Sequence, residues 1–353
     1  MRTLTTVFLG LCLSLHASSQ ESRVSLLFAG DAMQHMPQVR GAMDEEGTYR
    51  YDTCFQLVRD RISAADLAGV NFETTLGGEP YTGYPLFSSP DAFAFSLKDT
   101  GFDLFFLANN HALDRGRKGV ERTIELLDSI GIKHTGTFKS IETRDLYYPL
   151  MIIKNGIRIA FLNYTYDTNG LIVREPNWVN VTDTNLIKQD LTRTQLYKPD
   201  IIIAQMHWGE EYRTIPSSHQ RKQAEVLLRH GVRIVIGHHP HVVQPLVIDK
   251  ENDSIRNVIY YSLGNFISNQ QQPNTDGGML AEIVIQKKDN ASPVTIESCT
   301  YSLVWVEKIP RRGKIGYRLI PSGDEVFPPL GHEEQKKMDI FVHQANRIIQ
   351  TKF

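Results

Sequence analysis

The sequence predicts an α/β protein whose site lies at the carboxyl ends of its strands. Three observations carry this expectation. From Val24 to about Phe266, short apolar β-branched runs alternate with segments of helical spacing. Five of the expected strands end in residues able to bind a metal or move a proton, and in α/β sheets sites form in the crevice at those ends. From Met279 onward the pattern changes to apolar–polar alternation and one amphipathic helix. The simplest division is a domain over 20–290 and a β-rich, helical C-terminal extension over 291–353.

Taken in order, Val24 to Ala29 reads as a strand ending in Gly30-Asp31. Cys54 to Ala65 has helical spacing, with Phe55, Val58, Ile62 and Ala65 on one face. Leu67 to Val70 is a short apolar strand that runs into Asn71-Phe72-Glu73, and 77–90 is a Gly/Pro/Tyr/Ser loop over the site. A helix over Asp91–Thr100, capped at Ser89 or Asp91, precedes a buried strand over Asp103–Ala108 that ends in Asn109-Asn110-His111. Arg117 to Ile130 is a helix closed by Gly131, followed by a short strand over Ile132–Thr135.

Leu150–Ile153 and Ile157–Leu162 form a hairpin across Asn155-Gly156, a strong turn signal. Asn185–Leu196 reads as a helix, Asp200–Met206 as a buried strand ending at His207, and Ser217–His230 as a helix with Gly231 at its end. Val232–Ile236 is a buried strand that delivers Gly237-His238-His239-Pro240-His241. Three of the 12 histidines therefore fall within four positions, around a proline that fixes its own φ. Val242–Ile248 and Val258–Ser262 read as strands, the second ending in Leu263-Gly264-Asn265-Phe266. Met279–Gln286 and Tyr301–Lys308 read as antiparallel strands, and Glu333–Gln350 as a packing helix.

Composition bounds the rest. The 353 residues are 41% hydrophobic and 22% charged, with a formal net charge of -2 and no block of like charge, so nothing points to nucleic acid. Arg2, the apolar run Val7–Leu15 and Ala17-Ser18-Ser19 have the pattern of a secretory signal over 1–19. The apolar run is short of a membrane span, so the expectation is export to the periplasm or beyond, with no transmembrane segment after cleavage. Cleavage would leave Cys54 and Cys299, which read equally well as a disulfide or as two free thiols.

Asp31, Glu73, Asn110, His111, His207, His239 and His241 sit at strand ends. Singly, each has a bland reading: a turn residue, a salt-bridge partner, a satisfied buried imidazole. Together they are too many for one structural zinc, which takes four ligands. Carboxylate, amide and imidazole suit divalent zinc, manganese or iron, and two such ions sharing a carboxylate clamp both oxygens of an in-line displacement at phosphorus. His35 and Asn265 are further candidates. His238 is expected to point away from the His239/His241 pair. Trp208, Tyr212 and Tyr84 read as groove-lining or core aromatics. The chain lacks a GxGxxG fingerprint, a P-loop, an HExxH and a GxSxG elbow, which disfavours nucleotide-dependent, zincin and serine-hydrolase chemistry. A glycosidase pair of Asp31 and Glu73 would leave the histidines without a role.

These motifs, with Tyr261-Ser262-Leu263-Gly264-Asn265-Phe266, come in the order seen in the bacterial capsule-synthesis proteins of the CapA (poly-γ-glutamate, PGA_cap) family, which the chain resembles from Val24 to Phe266. That family is similar to the calcineurin-like metallophosphoesterases. The resemblance implies a four-layer αββα sandwich. It also implies metal ligation by Asp31, Glu73, Asn110, His207, His239 and His241, with His111 as the proton donor to the leaving group. Two departures stand out: Met33 replaces the histidine expected two residues after Asp31, and the second acid is Glu73 rather than Asp. The resemblance also implies a capsule or cell-envelope polymer, or a small phosphoester, as substrate, and a synthase as partner. The alternative is an accessory protein that binds an exopolymer on a scaffold with a vestigial metal site.

Overall fold

The computed structural model describes residues 21–289, 291–311, 313–323 and 329–353, so the expected export signal lies outside the described residues. The first half of the chain gives β1 (Ser22–Ala32), α1 (Met36–Ala42), α2 (Asp52–Phe55), α3 (Arg59–Ser63), β2 (Leu67–Phe72), α4 (Asp91–Thr100), β3 (Leu104–Phe106), α5 (Gly116–Ser129), β4 (Lys133–Thr135), β5 (Thr137–Phe138) and α6 (Ile141–Tyr147). There follow β6 (Leu150–Lys154), β7 (Ile157–Thr165), β8 (Trp178–Val179), α7 (Thr184–Leu196), β9 (Ile201–His207), α8 (Ser218–Arg229), β10 (Ile234–His238), β11 (Leu246–Glu251) and β12 (Ser254–Tyr260). The chain closes with β13 (Asn265–Ile267), β14 (Gly277–Lys287), β15 (Thr295–Arg311), β16 (Lys314–Pro321) and α9 (His332–Ile349).

Strand pairing runs continuously in the order β4-β3-β2-β1-β14-β15-β12-β10-β9-β7-β6. This ribbon doubles back on itself. Phe28 of β1 and Phe106 of β3 pack on Phe161 of β7, with ring centroids 6.3 and 6.1 Å apart. The period of two along each strand sorts the side chains. Leu26, Phe28, Ile159, Phe161, Ile201, Ile203, Ile234 and Ile236 face the layer between the halves. Leu27, Ala29, Val70 and Phe105 face outward onto α3 and α4, and Leu162, Ile202, Ala204 and Val235 onto α7 and α8. Burying each of these large side chains contributes roughly 2 kcal/mol. The result is the expected αββα sandwich. The α9 side chains Phe341, Ala345 and Ile349 join the inner layer, so α9 packs as expected.

The structure departs from the sequence reading in several elements. The expected single helix over Cys54–Ala65 is two short ones, α2 and α3, separated by a turn. Its apolar positions Phe55, Val58 and Ile62 still pack in one cluster, because the turn keeps them on one side. The strand expected from Val242 starts only at Leu246, and Pro90 rather than Ser89 or Asp91 stands at the N-cap position of α4, with no side-chain capping bond. Cys54 and Cys299 are free thiols. No helix among the described residues is long and apolar enough to cross a membrane.

Parallel pairing puts the carboxyl ends of β1, β2, β3, β9 and β10 on one edge of the sandwich. Glycine makes this close approach feasible. A Cβ on Gly237 would collide with the Tyr261 carbonyl oxygen and with Trp208 Nε1, and one on Gly30 with the Gly264 carbonyl oxygen. Gly237→Ala is therefore expected to lower stability by about 3 kcal/mol through overpacking, read as a shift in the denaturant midpoint at unchanged slope.

Candidate metal centre

Residues at or just past the carboxyl ends of these strands come to a common point. Asp31 leaves β1 beside Asn71 of β2, its register partner, and Glu73 follows two residues later on the same face. His207 ends β9 next to His238 of β10. The chain then turns through His239 (φ 94°) and His241 (φ 59°), and Tyr212 nearby has φ 64°. Three non-glycine residues in the left-handed region cost about 1–3 kcal/mol each, and such strain clusters where geometry serves function.

The centre is dry. Asp31, Glu73 and His207 are fully buried, and Asn110, His239 and His241 nearly so. His241 Nδ1 is 3.0 Å from Asp31 Oδ2 and 3.2 Å from Asn265 Oδ1. His207 Nε2 is 2.9 Å from Asn110 Oδ1 and 3.7 Å from Glu73 Oε1, and His241 Nε2 is 3.8 Å from that same Glu73 oxygen. The donors form two sets, Glu73–His239–His241 and Asp31–Glu73–His207, whose ligand atoms lie within 4.8 Å of one another. Glu73 belongs to both.

Electrostatics favour a cation here. Burial and the neighbouring Asp31 charge push Glu73 well above the usual carboxylate range. Burial would raise Asp31 as well, but its hydrogen bonds to His241 and Asn71 outweigh that and hold it below its ordinary value. Burial drives His207 far down, His239 to about 3 and His238 to about 4, so these imidazoles are neutral at pH 7, the form that binds metal. Glu73 Oε1 and His239 Nδ1 are buried without a hydrogen-bond partner among the described residues. Orphaned buried acceptors at the meeting point of oxygen and imidazole donors are what a divalent ion of the zinc, manganese or iron kind would satisfy.

His111 stands beside this centre. Its Nδ1 is 2.7 Å from Asp114 Oδ2, and Asp114 also accepts from the Phe87 backbone N–H at 2.7 Å. The Phe87 ring packs edge-on against the imidazole at 4.5 Å. Asp114 fixes which imidazole nitrogen is free, so Asp114→Asn is expected to leave metal content unchanged and to lower any turnover that needs His111 by at least about 10-fold.

All six expected ligand residues thus converge, with His111 alongside. Asn265 joins them through His241. His35 serves as the N-cap of α1, its Nδ1 3.2 Å from Gln38 Oε1, and burial pushes it to about 4. Met33 is buried against Ser268, its sulfur 3.8 Å from the hydroxyl. His238 turns to Gln205, with Nε2 2.9 Å from Oε1, and its Nδ1 is 3.6 Å from Asp31. Trp208 is core, whereas the Tyr212 ring lies 6.2 Å from that of His241.

The sequence reading did not single out Asn71, Asp114 or Tyr166 as site residues. Asn71 donates to Asp31 and Glu73, and the Tyr166 ring is 4.5 Å from that of His239. Asn71 could have been found from the period of two, which puts it on the face of Glu73, and Asp114 from its i+3 spacing to His111. No local signal marks Tyr166.

The family model for bacterial capsule synthesis proteins, PGA_cap, matches residues 25–270, and the chain belongs to that family. It is 27% identical over 287 residues to the capsule biosynthesis protein CapA of Bacillus anthracis, covering 78% of this chain and 66% of that protein. It is 28% identical over 297 residues to the PGA biosynthesis protein CapA of Bacillus subtilis, covering 78% of this chain and 73% of that protein. The chain thus spans just under two thirds of the first relative. A crystal structure of a Staphylococcus aureus protein provisionally described as a 5′-nucleotidase superposes with a TM-score of 0.50 at 12% identity, covering 91% of this chain and 58% of that one. That likeness shows a shared fold.

Proposed function

We propose that this member of the bacterial capsule synthesis family is an exported, metal-dependent hydrolase acting on a phosphoester or on a substrate related to a capsule polymer. The observation that carries this reading is Glu73, a fully buried carboxylate shared by two convergent donor sets. Asp31, Glu73, Asn110, His207, His239 and His241 would hold two divalent ions. Bound there, such ions supply an activated water and neutralise charge on the oxygens of the reacting group. The protein does the rest. Glu73 and Asp31 fix the donor atoms, and His111, held at Nδ1 by Asp114, presents Nε2 to the leaving oxygen. The Tyr166 and Tyr212 rings wall the histidines and limit water.

The buried Met33, standing where phosphoesterases have a histidine, favours a second reading. In it, the centre holds a vestigial metal and the protein binds an exopolymer or a synthase partner. A turnover assay separates the two. Chelator-stripped protein, reloaded with Mn²⁺ or Zn²⁺, is expected to cleave members of a phosphomonoester and phosphodiester panel only when the ion is present. A fully loaded protein that cleaves none of them, yet binds a capsule polymer, would establish the accessory reading instead.

A further inference from the structure

Asn71 occupies an unusual position. It is fully buried, and three electron-rich atoms converge on its amide nitrogen: Asp31 Oδ1 at 2.8 Å, Glu73 Oε2 at 3.2 Å and His207 Nδ1 at 3.3 Å. An amide nitrogen carries two hydrogens, so it cannot serve all three. Its own Oδ1 is buried with no hydrogen-bond partner among the described residues. On the other side of the His207 ring, Nε2 faces Asn110 Oδ1 and Glu73 Oε1.

These contacts fix the neutral tautomer of His207. His207 Nδ1 faces the Asn71 amide nitrogen, which has no lone pair to accept a proton, so the ring proton sits on Nε2 and donates to Asn110. An ion held at Nε2 needs the opposite arrangement: the lone pair on Nε2 and the proton on Nδ1, with an acceptor for that proton. Half a turn of the Asn71 amide exchanges its nitrogen and oxygen and supplies that acceptor. The carboxylates lose two hydrogen bonds, and the positive charge of the ion replaces them.

We propose that Asn71 is a positioning residue that couples the tautomer of His207 to metal loading. With NH2 inward it holds Asp31 and Glu73 together, and with C=O inward it accepts from His207 Nδ1–H. This inference rests on the metal reading of the site. Asn71→Asp makes the inward acceptor permanent and adds a third carboxylate, whereas Asn71→Leu removes donor and acceptor at similar size.

The test uses the whole mature protein with histidine-labelled long-range ¹H–¹⁵N spectra and calorimetric Zn²⁺ titration. In wild type, the His207 proton is expected on Nε2 in chelator and on Nδ1 with Zn²⁺. Asn71→Asp is expected to bind Zn²⁺ at least 10-fold more tightly and to melt earlier in chelator, and Asn71→Leu to bind at least 10-fold more weakly. One His207 tautomer in both states, or equal weakening by both substitutions, would overturn the role of Asn71 while leaving the metal reading intact. No Zn²⁺ bound by wild type would overturn both. The Zn²⁺ titration of Asn71→Leu decides the matter even if Asn71→Asp fails to fold: affinity equal to wild type would overturn the role of Asn71.

Discussion

Replacing Glu73 by Gln is expected to lower affinity for divalent ions by at least about 100-fold and to change how stability depends on pH. The first effect follows from its place in both donor sets. The second follows from linkage. Burial and the Asp31 charge raise Glu73 in the folded state, so the stability it confers is fully present below its unfolded value and is lost as pH rises through the folded one. His207, His238, His239 and His35 are shifted the other way by burial, to about 4 for His238 and His35 and about 3 for His239. Their contribution is present above the unfolded histidine value of 6.5 and is lost as pH falls toward the folded values. In chelator, ionisation of Glu73 should therefore subtract stability as pH rises above its unfolded value, while the histidines add stability as pH rises toward 6.5. Glu73→Gln should remove the first contribution and keep the second. Melting temperatures of the two proteins measured across pH check this, and a wild-type-minus-variant difference that does not change with pH would contradict it.

His111→Ala is expected to reduce turnover by about 10²–10⁴-fold without loss of bound metal. The imidazole lies outside both donor sets and is oriented through Asp114. A donor of a proton to a leaving oxygen matters most when that oxygen leaves poorly. The loss should therefore be large for an alkyl phosphodiester and smaller for a p-nitrophenyl ester, whose leaving group departs without a proton. Equal losses on both esters would remove His111 from that role. Loss of metal along with turnover would move it among the ligands.

Much of the centre was legible in the sequence because the signal is local. Runs such as Ile201–His207 and Ile234–His238 are buried on both faces, so a polar residue at their carboxyl end stands out against unbroken apolar neighbours. What escaped depends on contacts across the chain. β13 is three residues long and is defined by its pairing with β1. The break between α2 and α3 is invisible to periodicity because both helices bury the same cluster. The join between the two halves rests on long-range pairing: β15 follows β14 along its length and meets β12 only at Ile255–Ile296. Asn71 was quoted in a motif but passed over: the period of two places it on the face of Glu73, but its contacts with Asp31 and His207 come from other strands. Tyr166 reaches His239 from the irregular segment after β7, where no period applies.

The most direct measurement is the metal content of the purified protein by elemental mass spectrometry, beside a His239→Ala/His241→Ala double variant. The prediction is about two transition-metal ions per chain in the wild type and their loss in the variant. One ion would trace to Met33 in place of a histidine and would call for a single-ion mechanism. No bound metal, even after incubation with Mn²⁺ or Zn²⁺, would contradict the hydrolase reading and leave a polymer- or partner-binding protein on a phosphoesterase-like fold.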